Sequence, residues 1–497
     1  MFDANILDII QNHLATSVAL FKPEIALLIT FILALFMDII FKKNRNIAGY
    51  TVCIGFIITG ILLFTQVGVK ENAFINLIAV DPFAVFFKYL ILISSLGVCL
   101  MSFFSEELYS EGRKVGEYYS LICAMTFGMF LLSGANNLIM IYLAIEMMSF
   151  SSYVLAGYTK EIKRASEASL KYVIYGSVSS GVMIYGMSLL FGASGTLNLT
   201  DLATLIPNGQ IDMFPLITSG ILIITGFGYK ISMAPFHFWT PDVYEGSPVT
   251  ITALLSVASK IAGLAGFIRF TMLIFANDPY LNWQIVLAVL SVVTMTIGNL
   301  SALWQSNVKR ILAYSAIAHA GYILIGLVVM NELGISSIMF YLFTYIFMNL
   351  GAFMVVMLIS NKIQSEDIDD YNGLGYKMPV LGALLVIFLV SLAGIPPTAG
   401  FLGKFYIFAA ALQKGGVWIW LTVIAVINSA ISVFYYFKIF RNMYLRGKNT
   451  EISEKFSFSP ASIALTVIFA IPTLFLLVYY SPILEWANQS ASIFFLK

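Results

Sequence analysis

Residues 226–260 read GFGYKISMAPFHFWTPDVYEGSPVTITALLSVASK. The run is apolar enough to lie in a membrane, yet it holds Lys230, His237 and Lys260 and is interrupted by Pro235, Pro241 and Pro248. A proline inside a helix removes a backbone donor and clashes one turn back, so the helix kinks or stops there. Carbonyls freed at membrane depth need water or polar side chains, so a break beside a lysine predicts a hydrated cavity. Lys230 is five residues before Pro235, too central for its stem to reach either interface, and Lys260 is as central in the next apolar run.

The rest of the chain has the same character. Its 497 residues are 60% hydrophobic and 11% charged, with a mean hydropathy of +0.90, whereas a soluble domain is nearer half apolar and a quarter charged. A net charge of +1 gives no attraction for polyanions, so nucleic acid is not an expected partner. Cys53, Cys99 and Cys123 lie in apolar runs without CxxC spacing and read as core residues. The N-terminus carries acids where a signal peptide carries lysines, so the first hydrophobic segment is expected to be retained. No Gly-rich phosphate loop, metal-spaced His/Cys cluster or haem-type His pair is present. The loops are too short for a catalytic domain, so any redox chemistry belongs to other subunits.

A bilayer-crossing helix needs about 20 apolar residues. That rule predicts an all-α integral membrane protein with about fourteen spans, at 24–41, 48–65, 79–102, 117–133, 136–158, 167–192, 214–235, 248–272, 284–303, 309–330, 334–360, 379–411, 416–440 and 461–481. Loops after odd-numbered spans hold seventeen lysines and arginines, from Lys42 to Lys455, against Lys22, Lys70, Lys414 and Lys497 on the other side. The asymmetry predicts odd loops in the cytoplasm and both termini outside.

Six basic residues remain within the spans: Lys88, Lys171, Lys230, Lys260, Arg269 and Lys404. An ionised centre there costs at least a few kcal/mol, so each needs a reason. Glu146 lies midway along the fifth span, in LIMIYLAIEMMSFSSYVLAGY. An isolated carboxylate at that depth takes up a proton or finds a cation; a helix-locking ion pair and a proton relay both fit, and the basic residues at similar depth favour the relay. His237 titrates in the range that suits a shuttle between lysines. His319, with Tyr314 about one turn earlier, is either a satisfied core group or a relay member. Lys404 follows SLAGIPPTAGFLGKFYIF, where Gly394, Pro396, Pro397 and Gly400 break the twelfth span. Lys171 is near the start of the sixth span, where snorkelling competes with a relay role. Lys88 and Arg269, nearer span ends, read as interfacial anchors.

Spans seven and twelve are five apart and therefore cross in opposite directions. Two broken helices so related suggest inverted repeats, spans 4–8 and 9–13, giving units at 1–115, 116–275, 276–442 and 443–497.

PFHFWTPDVYEGSPVTITALLSVASK together with SLAGIPPTAGFLGKF resembles the antiporter-like membrane subunits of bacterial proton-pumping NADH-quinone oxidoreductase, respiratory complex I. These are relatives of the subunits of multisubunit Na⁺/H⁺ antiporters. The likeness covers nearly the whole chain. It implies a fourteen-helix fold with two inverted five-helix bundles and broken helices seven and twelve. It also implies that Glu146 and Lys230 pair, that His237 and Lys260 connect the relay, that Lys404 leads to the outer half-channel, and that Lys171 is a further functional lysine. One sister subunit carries glutamate where Lys404 stands and the largest continues into a lateral helix, so the pattern is that of the subunit N branch. The resemblance further implies a bacterial inner membrane and other membrane subunits of the complex as partners. This chain would bind no cofactor or metal, while quinone, NADH or another donor, FMN and iron–sulfur clusters belong elsewhere in the complex. Protons would enter from the cytoplasm near His237 or the loop after the seventh span, load Lys260 and leave through Lys404. Three readings compete: a cation/proton antiporter subunit without redox coupling, a structural subunit whose charges lock helices, and a solute carrier.

Overall fold

The computed structural model describes residues 13–41, 44–110, 115–446 and 456–495. Helices stand at every one of the predicted apolar stretches. Among the described residues, eleven are long and apolar enough to cross a membrane unaided. Lys42, Lys43, Arg113, Lys114, Lys448, Lys455 and Lys497, which contribute to the charge asymmetry, lie outside the described residues.

Helices α1 (Lys22–Ile40) and α2 (Ile47–Leu63) lead to a hairpin of β1 (Glu71–Ala73) and β2 (Ile78–Val80), antiparallel with Glu71 opposite Val80. Then come α3 (Pro82–Ser102), α4 (Gly116–Gly134), α5 (Leu138–Ala156) and α6 (Lys163–Ser194). The first broken helix comprises α7 (Met213–Ile231) and α8 (Trp239–Gly246). α9 (Val249–Leu254) runs through a wide π turn at Leu255–Ser259 into α10 (Lys260–Leu273). The second half holds α11 (Trp283–Leu303), α12 (Val308–Val329) and α13 (Glu332–Ile363). Its broken helix, α14 (Pro379–Ala393) and α15 (Ala399–Lys414), precedes α16 (Trp418–Leu445), α17 (Pro460–Phe475) and α18 (Ser481–Ala491). α9–α10, α12 and α13 are almost wholly buried, whereas α6 and α16 present long apolar faces outward.

Both breaks lie where the prolines predict them. α7 stops at Ile231 because Ser232 takes a left-handed conformation, φ 63°, and α14 stops at Ala393 ahead of Gly394, φ 79°. The Ala234–Pro235 and Pro396–Pro397 peptide bonds are cis. The chain re-forms a helix after the first break because Trp239 is pinned: its ring stacks 4.5 Å from that of Tyr172, and its indole N–H donates to the Tyr229 carbonyl at 3.0 Å.

Lys88 and Arg269 depart from the sequence expectation. Neither is an interfacial anchor; both are buried in ion pairs. Lys88 Nζ lies 2.5 Å from Glu24 Oε1 and donates to Gln66 Oε1 at 3.1 Å. Arg269 donates to both Asp81 oxygens, at 2.8 and 3.0 Å, with its guanidinium over the rings of Phe83 and Phe494. Each basic residue turns inward because an acid distant in sequence waits there, and a paired charge tolerates burial that an unpaired one does not.

Candidate functional site: a buried polar line

Lys230 ends α7, Lys260 opens α10, and Lys404 lies in α15 just beyond the second break; all three are buried. Lys230 Nζ donates to Ser149 Oγ at 3.1 Å. Ser149 is one turn along α5 from Glu146. Glu146 itself is half-buried, and its Oε1 is enclosed with no hydrogen-bond partner. No direct Glu146–Lys230 ion pair is present, so the pair expected from the sequence is open here, with Ser149 holding the ammonium.

Lys260 Nζ donates to the Ala316 carbonyl of α12 at 2.6 Å. One turn further along α12 is His319, whose Nδ1 meets the Tyr341 hydroxyl and whose Nε2 lies 3.1 Å from the Tyr436 hydroxyl. A neutral imidazole donates through one nitrogen and accepts through the other, so His319 can pass a proton between two phenols. Next to Tyr436, the Tyr435 hydroxyl donates to Asn299 Oδ1 at 3.0 Å. Asn299 Nδ2 donates in turn to the Tyr322 hydroxyl at 2.8 Å.

The Tyr322 ring then lies beneath the Lys404 ammonium, 4.8 Å from its centroid. Lys404 donates to the Ala393 carbonyl at 2.8 Å and to Ser429 Oγ at 3.1 Å. Ala393 is the last residue of α14, so the ammonium caps the negative end of a half-helix. The second break thus makes the site that holds its lysine.

Three expected residues are placed otherwise. His237 is buried with Nδ1 unpartnered and its ring against Phe238, and no hydrogen bond joins it to either lysine. Tyr314 is half-buried and forms no hydrogen bond to His319; Tyr341 and Tyr436 take that place. Lys171 is 39% exposed and pairs with Glu167 at 2.8 Å and Asp242 at 2.7 Å. Snorkelling to the surface, its competing reading, is what its geometry resembles. Ser149, Asn299, Tyr322, Tyr341 and Tyr436 were not singled out from sequence; their one signal is a polar group in an apolar span.

Two interrupted helices, each with a buried lysine beside the break, and imidazole, phenol and amide groups lined up between Lys260 and the second of them, define a multi-span membrane protein of the antiporter-like kind. Residues 135–432 match the family described as NADH:quinone oxidoreductase/Mrp antiporter, transmembrane, and the chain belongs to that family. It is 48% identical over 489 residues to NADH-quinone oxidoreductase subunit N 2 of Chloroherpeton thalassium, covering 97% of this chain and 96% of that one. It is 42% identical over 509 residues to NADH-quinone oxidoreductase subunit N of Chlorobium chlorochromatii, covering 98% of each. Among solved structures, a chain of respiratory complex I from Thermus thermophilus with bound aureothin superposes with a TM-score of 0.78 at 29% identity, covering 94% of this chain and 99% of that one. A chain of an archaeal membrane-bound sulfane sulfur reductase shares the fold, with a TM-score of 0.84 at 24% identity over 96% of this chain and 97% of that one.

Proposed function

We propose that this chain is the proton-translocating subunit N of a quinone-reducing complex I in a bacterial inner membrane, with both termini outside. It moves protons from the cytoplasm to the outside while electrons pass from NADH to quinone on other subunits. The observation that carries the reading is the buried polar series in which Lys260 bonds the Ala316 carbonyl one turn from His319, His319 meets Tyr436, and the neighbouring Tyr435 leads through Asn299 to the Tyr322 ring beneath Lys404. Three cysteines in the whole chain cannot supply the four thiolates of a typical iron–sulfur cluster, which agrees with redox centres lying elsewhere. The halves α4–α10 and α11–α16 act as inverted repeats, each contributing one break and its lysine.

Lys230 works as the switch. A carboxylate brought close strengthens a lysine's hold on its proton, whereas burial alone weakens it. With the pair open and Ser149 as the acceptor, Lys230 is ready to release; closing onto Glu146 reloads it. A change of about three in pKa corresponds to about 4 kcal/mol, comparable with the roughly 2.3 kcal/mol per 100 mV needed to move one charge outward. Conformational change from quinone reduction in neighbouring subunits drives the opening. The test is Glu146→Gln and Lys230→Ala in the assembled complex. Both should lower protons pumped per electron, and undiminished pumping in both overturns the scheme.

A further inference from the structure

Cys53, Cys99 and Cys123 lie on α2, α3 and α4, and all three are buried. Contacts along the seam between α2 and α3 show these two helices running antiparallel. At one end, a Cβ on Gly49 would come within 2.7 Å of the Phe103 ring, and the Tyr50 and Phe103 rings lie 5.1 Å apart. At the other, a Cβ on Gly60 would come within 3.2 Å of Leu92, and the Tyr89 hydroxyl donates to the Gly60 carbonyl at 3.3 Å. Cys53 is four residues after Gly49 and seven before Gly60; Cys99 is four before Phe103 and seven after Leu92. Equal steps along two helices cover equal rise, so the two cysteines are opposed across the seam. Their thiols are within hydrogen-bonding reach of each other.

Helix axes packed about 8–10 Å apart, with α-carbons about 2.3 Å off each axis, bring directly facing α-carbons into the range of about 4.4–6.8 Å that a disulfide spans. The glycines at 49 and 60 keep side chains out of the seam on either side of the pair. Cys123 is occupied differently, its thiol donating to the Leu27 carbonyl of α1 at 3.3 Å. Cys53 is the member nearest lipid: 9% of it is exposed, against none of Cys99 or Cys123, and Tyr50, Ile54 and Ile57 around it face outward. A reagent that reaches Cys53 therefore comes from the bilayer rather than from water.

We propose that Cys53 and Cys99 are a reversible redox staple, oxidised by a lipid hydroperoxide to a disulfide that joins α2 to α3. The Cys53 sulfur attacks the terminal peroxide oxygen; the O–O bond breaks, the thiol proton ends on the departing oxygen, and a lipid alcohol leaves. Cys53 is then a sulfenic acid, and Cys99 opposite is its resolving thiol. The Cys99 sulfur displaces the hydroxyl, which leaves with the Cys99 proton as water. Two thiols thus lose two electrons, and the hydroperoxide is reduced to alcohol and water. The staple closes α2, the hairpin and α3 into one covalent loop. Because α3 is held to α10 by Asp81 and Arg269, oxidation extends that rigid unit to α2. This holds whether or not the relay operates as described above.

The test treats the assembled complex in lipid vesicles with cumene hydroperoxide, blocks remaining thiols with a maleimide in denaturant, and maps the cysteines by mass spectrometry. In most chains the peptides holding Cys53 and Cys99 are expected to be joined and two hydrogens lighter, with Cys123 carrying the maleimide. Dithiothreitol added before the maleimide should return all three cysteines to the blocked form. In Cys99→Ser the joined peptides should vanish, and Cys53 should stop at a sulfenic acid that dimedone traps. Oxidation that ends at Cys53 alone in the unsubstituted complex, a link from Cys99 to Cys123, or no oxidation at any cysteine overturns the staple. Should Cys99→Ser not assemble, the unsubstituted complex decides alone, by the joined peptides and their loss in dithiothreitol.

Discussion

Gly394 shows how narrowly a single residue sets the second break. Its φ of +79° is one that only glycine adopts freely, and a Cβ there would lie 2.7 Å from Lys404 Cδ. Replacement by alanine therefore incurs about 1–2 kcal/mol of left-handed strain and pushes the lysine stem from the Ala393 carbonyl it caps. Gly394→Ala is expected to reduce pumping per electron towards the level of Lys404→Ala, with the complex still assembled. Full pumping in Gly394→Ala would show that Lys404 works without its half-helix cap. The lysines themselves were legible in the sequence because a charge in an apolar run stands out against its neighbours. Ser149, Tyr436 and Asn299 were not: serine, tyrosine and asparagine are tolerated in membrane helices, and only proximity to Lys230, His319 and Tyr322 distinguishes these three.

At the scale of elements, hydropathy located the apolar stretches and the prolines located both breaks. That the chain re-forms a helix at α8 was hidden, because the cause is tertiary. α8 is held at one end by the Trp239 stack and at the other by charge: Asp242 pairs with Lys171 at 2.7 Å and Arg310 at 2.8 Å, and Arg310 also reaches Glu245 at 2.7 Å. Burial raises the Asp242 carboxyl, but the bonds from Lys171 and Arg310 outweigh it and hold the group below the ordinary carboxylate range. A carboxyl depressed in the folded state contributes stability above its unfolded value, near about 3.9, and loses it as pH falls through the folded value. Relative to their intrinsic exchange rates, backbone amides of α8 should thus be well protected at neutral pH and lose that protection only in acid below about 4. In Asp242→Asn they should exchange fast already at neutral pH. Equal exchange in both proteins at neutral pH would mean that aromatic packing alone docks α8. The π turn at Leu255–Ser259 left no mark in composition either; its residues are as apolar as the helix around them.

For the whole molecule, the question is what fixes the first three helices to the half that carries Lys230. Asp81 begins α3 and Arg269 lies in α10, 188 residues apart, a separation at which no local pattern can announce a partner. That is why Arg269 read as an anchor. The pair is bidentate and almost fully enclosed, with only 4% and 9% of the side chains exposed. Asp81 also caps α3 by accepting from the Ala84 amide at 2.7 Å. Removing one member of such a pair leaves a buried charge uncompensated and costs about 3–5 kcal/mol, whereas replacing both by apolar groups is often nearly neutral. Asparagine keeps the cap, so Asp81→Asn isolates the charge. It should lower the thermal stability of the complex and the amount of this chain retained in it. Adding Arg269→Met should recover most of both. If Asp81→Asn is as stable as the unsubstituted protein, apolar packing of α3 against α4 and α10 is sufficient to unite the two parts, and the ion pair contributes no net stability.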